Sequence, residues 1–178
     1  MRRVIVDVDG TLWDLHAPLN KLLAKLYPGF PPDLPTDWNY FESYITKDQF
    51  YAAVDVVHKT QSDYPAFVGA GYLFNVLSQL DLEIVVASHR APNTAHLLAR
   101  WLNENDLEPC SILYTGNDKK PFIRQGDIVI DDAPATIQYA LANGASSYYL
   151  SWPWNEKEAG SSHANLYELA VMLYEEQK

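Results

Sequence analysis

One cysteine, Cys110, stands in 178 residues, so no disulfide can close within the chain, which suits a reducing compartment. Basic residues are scarce: 13 Lys and Arg face 23 Asp and Glu, a formal net charge of −10. Polymeric nucleic acid and anionic membranes both need a basic face, so neither is expected as a partner. A small anion held at a local positive site is compatible with the balance. Long apolar runs are also missing. Three apolar residues follow Met1-Arg2-Arg3 before Asp7, too few for a signal-peptide core, and no run reaches the length of a membrane span. We therefore expect a cytoplasmic protein. There are no repeats and no low-complexity tract. His16, His58, His89, His96 and His163 show no paired zinc spacing, and each reads as a surface group or a support behind a site. Gly69-Ala70-Gly71 lacks a third glycine and follows no strand, so it reads as a helix start rather than a dinucleotide loop.

What is present is a hydrophobic content of 48%, which excludes disorder, in a length that suits one domain with a small insert. The stretch Val4 to Leu12 reads V-I-V-D-V-D-G-T-L. Val4, Ile5 and Val6 form a short buried strand, and Asp7 and Asp9, two apart, leave its end on the same side. Gly10 permits a tight turn close to a ligand. Two like charges there are costly without a cation between them, and Mg²⁺ with a phosphate suits such a pair. The plainer alternative is an Asx turn closing a strand. Asp127 to Pro134, D-I-V-I-D-D-A-P, repeats the pattern with Asp131 and Asp132. Here the alternative is a helix N-cap ahead of Pro134. Two strands each delivering carboxylates at the C-terminal end fit an open parallel sheet, where ligands bind beyond those ends.

Periodicity supplies the frame. Leu19, Leu22, Leu23 and Leu26 mark a helix, Pro28 to Trp38 is a proline-rich loop, and Thr46 with Gln49 has capping-box spacing before Phe50, Val54 and Val57. From Ala66 helices and strands alternate: Tyr72, Leu73, Val76, Leu77 and Leu80; Glu83 to Ala87; Ala95, Leu98, Trp101 and Leu102; Ser111 to Tyr114; Asp127 to Ile130; Ile137, Ala140 and Leu141; Ser147 to Leu150; and Leu166, Leu169, Ala170 and Leu173. Such alternation predicts a parallel sheet of about five strands with helices on both faces.

D-V-D-G-T-L, Ser88 closing V-V-A-S, Lys120 and I-D-D-A-P together resemble, in order, the four motifs of the haloacid dehalogenase (HAD) superfamily of phosphohydrolases. The resemblance runs from Val4 to about Asn155. It implies an α/β, HAD-like Rossmannoid core over residues 1–14 and 66–178, with residues 15–65 as a small helical cap of the C1 type. It implies Asp7 as nucleophile, Asp9 as general acid–base, and Mg²⁺ held by Asp7, the Asp9 carbonyl and Asp132, with Asp131 acting through water or as a support. Ser88 and Lys120 would bind the phosphoryl oxygens. Taken alone, Ser88 could simply cap a turn, and Lys119 and Lys120 could be ordinary solvated lysines. Lys119, His89 and Arg90 are further candidates for contacting substrate.

The small cap, I-D-D-A-P and the W-P-W-N segment are most similar to the 5′(3′)-deoxyribonucleotidase group, with departures at Thr11 and at Glu156. That resemblance implies a Mg²⁺-dependent 5′-nucleotidase for (deoxy)nucleoside monophosphates. Alternatives are a phosphatase for another small ester, a nucleic-acid-end 3′-phosphatase, which the acidic balance disfavours, and a catalytically silent binding protein. Aromatics crowd the insert: Trp38, Tyr40, Phe41, Tyr44, Phe50 and Tyr51. Phe50 shares a helix face with Val54 and Val57. Trp38 and Tyr40 either stack a base or belong to a small core.

Overall fold

A computed structural model describes residues 2–90, 92–116 and 118–178. Six parallel strands, β1 (Arg3–Val6), β2 (Glu83–Ser88), β3 (Ser111–Tyr114), β4 (Ile128–Ile130), β5 (Ser146–Leu150) and β6 (Ser161–His163), lie in the order β3-β2-β1-β4-β5-β6. β1 is central, with Val4 and Val6 beside Ile84 and Val86 on one flank and Ile128 and Ile130 on the other. Alternate residues of these strands serve separate cores, because successive side chains point to opposite faces. Val4, Val6, Ile128 and Ile130 join a large core with Leu73, Leu77, Leu98, Trp101, Leu169 and Leu173. Ile5, Ala87 and Val129 face a smaller one with Ile123 and Ala140. Burial on both faces is why the central strands read as unbroken β-branched runs.

The helices are α1 (His16–Leu26), α2 (Lys47–Lys59), α3 (Ala70–Gln79), α4 (Ala95–Glu104), α5 (Pro134–Ala142) and α6 (Leu166–Gln177). Thr46 and Gln49 make the expected capping box on α2. Gly69, at φ +98°, is the N-cap of α3, where an added Cβ would lie 3.2 Å from the Tyr167 backbone. α5 begins at Pro134, with Ala133 rather than either aspartate as its N-cap. α3 packs on α6, leaving Tyr72, expected on the buried face, 42% exposed in a ring contact with Tyr167.

The sixth strand departs from the expected count. β6 is Ser-Ser-His, with no apolar run to announce it, and it exists because Tyr148 to Leu150 offer it a parallel partner. Residues 15–65 contain α1, α2 and two short 3-10 turns, Tyr40–Ser43 and Gln61–Asp63, with no strand among them. Leu19, Leu23, Phe30, Phe41 and Val57 from this stretch belong to the same core as Val4 and Val6. No helix among the described residues is long and apolar enough to cross a membrane.

Trp101 ties the two parts together. It is fully buried, its indole N–H donates to the Tyr64 carbonyl at 2.8 Å, and its ring lies 6.3 Å from that of Trp13. Trp101→Ala should cost about 3–5 kcal/mol of unfolding free energy, measured by urea denaturation. A loss under about 1 kcal/mol would show that this junction collapses without strain.

Candidate functional site

The central sheet delivers its first carboxylate at the end of β1. Asp7 leaves the strand with its N–H donating to the Ile130 carbonyl at 2.8 Å. The chain then turns tightly, Leu12 N–H donating to the Val8 carbonyl at 2.8 Å and Gly10 N–H to the Trp13 carbonyl at 3.0 Å. Gly10 sits at φ +80°, and a Cβ there would lie 2.3 Å from Asp132 Oδ2. Glycine therefore allows the loop after β1 to close on the carboxylate after β4. The loop after β5 locks both: Trp152 Nε1 donates to the Gly10 carbonyl at 2.8 Å, and buried Asn155 donates to the carbonyls of Asp132 at 3.1 Å and Leu150 at 3.0 Å.

Asp7, Asp131 and Asp132 are all buried, and one oxygen of each lies within 4.8 Å of the others. Lys119 reaches in among them, donating to Asp7 and, at 2.8 Å, to Asp131 Oδ2. Burial raises the pKa of Asp7 well above the usual carboxylate value; Lys119 opposes the rise, and Asp131, Asp132 and Asp9 add to it. Burial also raises Asp132 further than His16 draws it down. Burial pulls Lys119 down, but Asp131 and Asp7 outweigh it and hold the ammonium above its ordinary value.

The lysine that meets the carboxylates is thus Lys119, not the expected Lys120. A 3-10 turn begins at Lys120, whose backbone N–H donates to Asp118 Oδ1 at 3.0 Å. With three residues per turn, neighbouring side chains in such a turn diverge widely, so only one of two adjacent lysines can enter the site.

Two features fit a hard divalent cation. When all three carboxyls are ionised, the single ammonium leaves the cluster at net charge −2. Asp131 has both oxygens engaged, by Lys119 and by the Ala133 N–H at 2.9 Å. Asp132 Oδ2 is buried with no hydrogen-bond partner, since His16 Nε2 lies 3.9 Å away. An all-oxygen donor set with one unengaged anionic oxygen suits Mg²⁺ or a similar ion.

Asp9 is held by a different set of groups. Its Oδ1 accepts from Trp13 Nε1 at 2.7 Å and Arg90 Nη2 at 2.9 Å, and its Oδ2 pairs with His58 Nε2 at 2.9 Å. Burial pushes its pKa up, yet His58 and Arg90 outweigh that and hold the carboxyl well below the usual range. Ser88 is fully buried at the end of β2, and its hydroxyl also accepts from the Arg90 N–H at 3.3 Å. His89 bonds the Gly116 carbonyl at 2.7 Å through Nδ1, and burial holds its pKa below the ordinary value.

The two aromatic candidates separate. Tyr40 is core: 9% exposed, it donates to Asn20 and packs edge-on to Phe30, Phe41 and Phe50. Trp38 stays 42% exposed and lies 6.4 Å from Trp154, which stacks on Trp152 at 4.9 Å and lies 4.3 Å from His16. Sequence reasoning did not single out Trp13, His16 or His58 at the site. Their common signal was a polar atom at a helical or turn position with no stated purpose, which becomes informative only once the partner is known.

No family model matches the chain, and no curated protein matches it. Solved structures do. A HAD hydrolase of family IA, variant 3, from Entamoeba histolytica HM-1:IMSS superposes with a TM-score of 0.65 at 20% identity, covering 99% of both chains. A HAD family hydrolase from Deinococcus radiodurans R1, with bound phosphate and sodium, gives 0.68 at 17%, covering 98% of this chain and 96% of that one. A CbbY variant from Rhodobacter sphaeroides in complex with xylulose-(1,5)bisphosphate gives 0.62 at 15%, covering 95% and 96%. The chain has the HAD fold. In this fold the order of strands reverses beside β1, and the carboxylate cluster lies at the crevice so formed.

The cluster predicts a metal-linked stability. Asp7 and Asp132 have folded-state pKa values above their unfolded ones. Their contribution is full below the ordinary carboxyl pKa and is lost as pH rises through the raised value. At neutral pH in EDTA, Asp132→Asn should therefore raise Tm by about 2–4 °C, equivalent to about 1 kcal/mol. Saturating Mg²⁺ at about 100 Kd should stabilise the wild type by about 2.7 kcal/mol and the variant far less. Scanning calorimetry reads both; a variant less stable than wild type in EDTA and equally responsive to Mg²⁺ would contradict the assignment.

Proposed function

We propose that this chain is a Mg²⁺-dependent phosphomonoester hydrolase working through an aspartyl-phosphate, with nucleoside or deoxynucleoside 5′-monophosphates as substrates. The observation that carries the hydrolase reading is Asp7, a buried carboxylate at the end of β1 between the Lys119 ammonium and two more carboxylates, with Asp9 two residues on. The phosphate bound to the Deinococcus radiodurans hydrolase is in keeping with it. Asp7, the Asp9 carbonyl and Asp132 would hold Mg²⁺, with Asp131 behind them. When bound, the ion would neutralise Asp7 enough for an anionic phosphate to approach, and would favour in-line geometry.

An Asp7 oxygen forms its bond to phosphorus as the ester P–O bond breaks, and the leaving oxygen takes a proton from Asp9. A water oxygen then attacks phosphorus and gives its proton to Asp9, while the bond from phosphorus to Asp7 breaks and phosphate is released. Lys119 and Ser88 donate to the phosphoryl oxygens as charge shifts onto them. Residues 15–65 serve as the cap over this site. The base is assigned to the exposed ring of Trp38, which lies beside the buried Trp154, a stacking contact being worth about 1–3 kcal/mol. A second reading, a small sugar phosphate, draws on the xylulose-(1,5)bisphosphate bound to the CbbY neighbour.

Asp7→Asn should keep the fold and lose turnover, because a neutral amide does not attack phosphorus. Activity should vanish in EDTA and return with Mg²⁺, while Ca²⁺ restores it poorly through its larger, looser shell. Wild-type turnover in the Asn variant, or hydrolysis indifferent to EDTA, would remove the carboxylate reading.

The substrate is tested by comparing kcat/KM for thymidine and uridine monophosphates with that for ribose 5-phosphate. The nucleotides should win, and Trp38→Ala should erase most of the preference, whereas Tyr40, as a core residue, should act on stability. Equal values for all three esters would leave the small-ester reading in place of the nucleotidase.

A further inference from the structure

The end of α2 reaches the loop after β1 through His58. The imidazole is buried, and its Nε2 stands 2.9 Å from Asp9 Oδ2. A carboxylate oxygen offers about two acceptor positions. Oδ1 of Asp9 has two donors, Trp13 Nε1 at 2.7 Å and Arg90 Nη2 at 2.9 Å. Oδ2 has one, His58, so Oδ2 is the oxygen with acceptor capacity left.

The same junction is incompletely satisfied. Nδ1 of His58, Nε and Nη1 of Arg90 and both amide atoms of Gln61 are buried without hydrogen-bond partners among the described residues. Gln61 opens the 3-10 turn directly after α2, and that turn packs against α4 while α2 packs against the turn Pro92–Thr94 that follows Arg90. A purely structural ion pair inside a protein is normally hydrogen-bonded throughout, since each orphaned group costs about 1–3 kcal/mol. Here His58 from the insert and Arg90 from the β2–α4 connection converge on Asp9, and their remaining buried nitrogens are left unmatched.

We propose that His58, with Arg90 and Trp13 opposite it, is the positioning residue of Asp9: it orients Oδ2 as the proton-transferring oxygen, so the seating of the α2 end sets the alignment of the acid–base. The proposal rests on the phosphohydrolase reading. It adds a role for the insert in the proton-transfer step itself. Oδ1 is immobilised by two donors from the core, whereas the hold on Oδ2 comes from an insert helix. A shift of α2 therefore reaches the reaction through one hydrogen bond.

The test separates proton transfer from everything else. kcat/KM is measured with Mg²⁺ on p-nitrophenyl phosphate, whose leaving group departs without a proton, and on the alkyl monoester the wild type cleaves fastest, whose leaving group needs one. The ratio of the two values cancels any change in the fraction of folded enzyme. His58→Ala and His58→Asn, whose shorter amide falls short of Oδ2, should lower the alkyl-to-aryl ratio by about 10-fold or more, within the about 10²–10⁴-fold that general acid catalysis supplies. His58→Gln places an amide N–H near the position of Nε2 and should hold the ratio within about 3-fold of wild type, since it keeps a hydrogen-bond donor on Oδ2. Equal losses on both esters, or an unchanged ratio in His58→Ala, would overturn the positioning role while leaving the hydrolase reading standing. A wild type that cleaves neither ester overturns that reading, and this role with it, before any variant is made.

Discussion

Three buried carboxylates around one buried ammonium, at the mouths of β1 and β4, are the constraint from which the rest of the site follows. Gathering Asp7, Asp131 and Asp132 within 4.8 Å is unfavourable in a dry environment, as the raised pKa values of Asp7 and Asp132 record. Lys119 relieves part of that charge. The backbone is tailored to the remainder: Gly10 leaves room for Asp132 Oδ2, and Asn155 pins the Asp132 carbonyl from the loop after β5. A cluster that is costly without a cation and compatible with one is the signature of a site built for charge rather than for stability.

The sheet explains why that cluster forms where it does. β1 has β2 on one side and β4 on the other, so two carboxylate-bearing ends are adjacent although Asp7 and Asp131 are far apart in sequence. Both strands are buried on two faces, which leaves their ends as the place where polar groups can gather. The insert meets this region at more than one place, His16 lying 3.9 Å from Asp132 Oδ2. Its core is continuous with that of the sheet through Leu19, Leu23, Phe41 and Val57, and its polar reach ends in His58 on Asp9. The loop carrying Asp9 and the insert are joined by this packing and by the His58 hydrogen bond.

Asp9 and Asp7, two residues apart, illustrate how environment divides like groups. Burial raises both, but Asp7 sits among like charges with one lysine against them, and Asp9 sits between His58 and Arg90. One carboxyl is driven toward neutrality and the other toward ionisation. The tight turn from Val8 to Trp13 separates their surroundings while keeping them a few bonds apart.

The sequence alone determined the sheet, the helices that flank it and the carboxylate ends of β1 and β4, because β-branched runs, period-3.6 faces and turn residues are local properties. Five strands and the α2 capping box were legible for that reason; Ser161–His163 was not, since a polar tripeptide becomes a strand only beside β5. Asp7, Asp131 and Asp132 announced themselves by position. The tertiary structure decided which lysine enters, because a 3-10 turn starting at Lys120 directs Lys119 inward. It decided that Tyr40 is core while Trp38 stays exposed beside Trp154, a matter of what packs against each ring. It also brought His58, Arg90 and Trp13 to one carboxylate. Trp13 is a local partner, four residues on in the same turn, but His58 and Arg90, 49 and 81 residues from Asp9, meet it only through long-range packing, which no local pattern encodes.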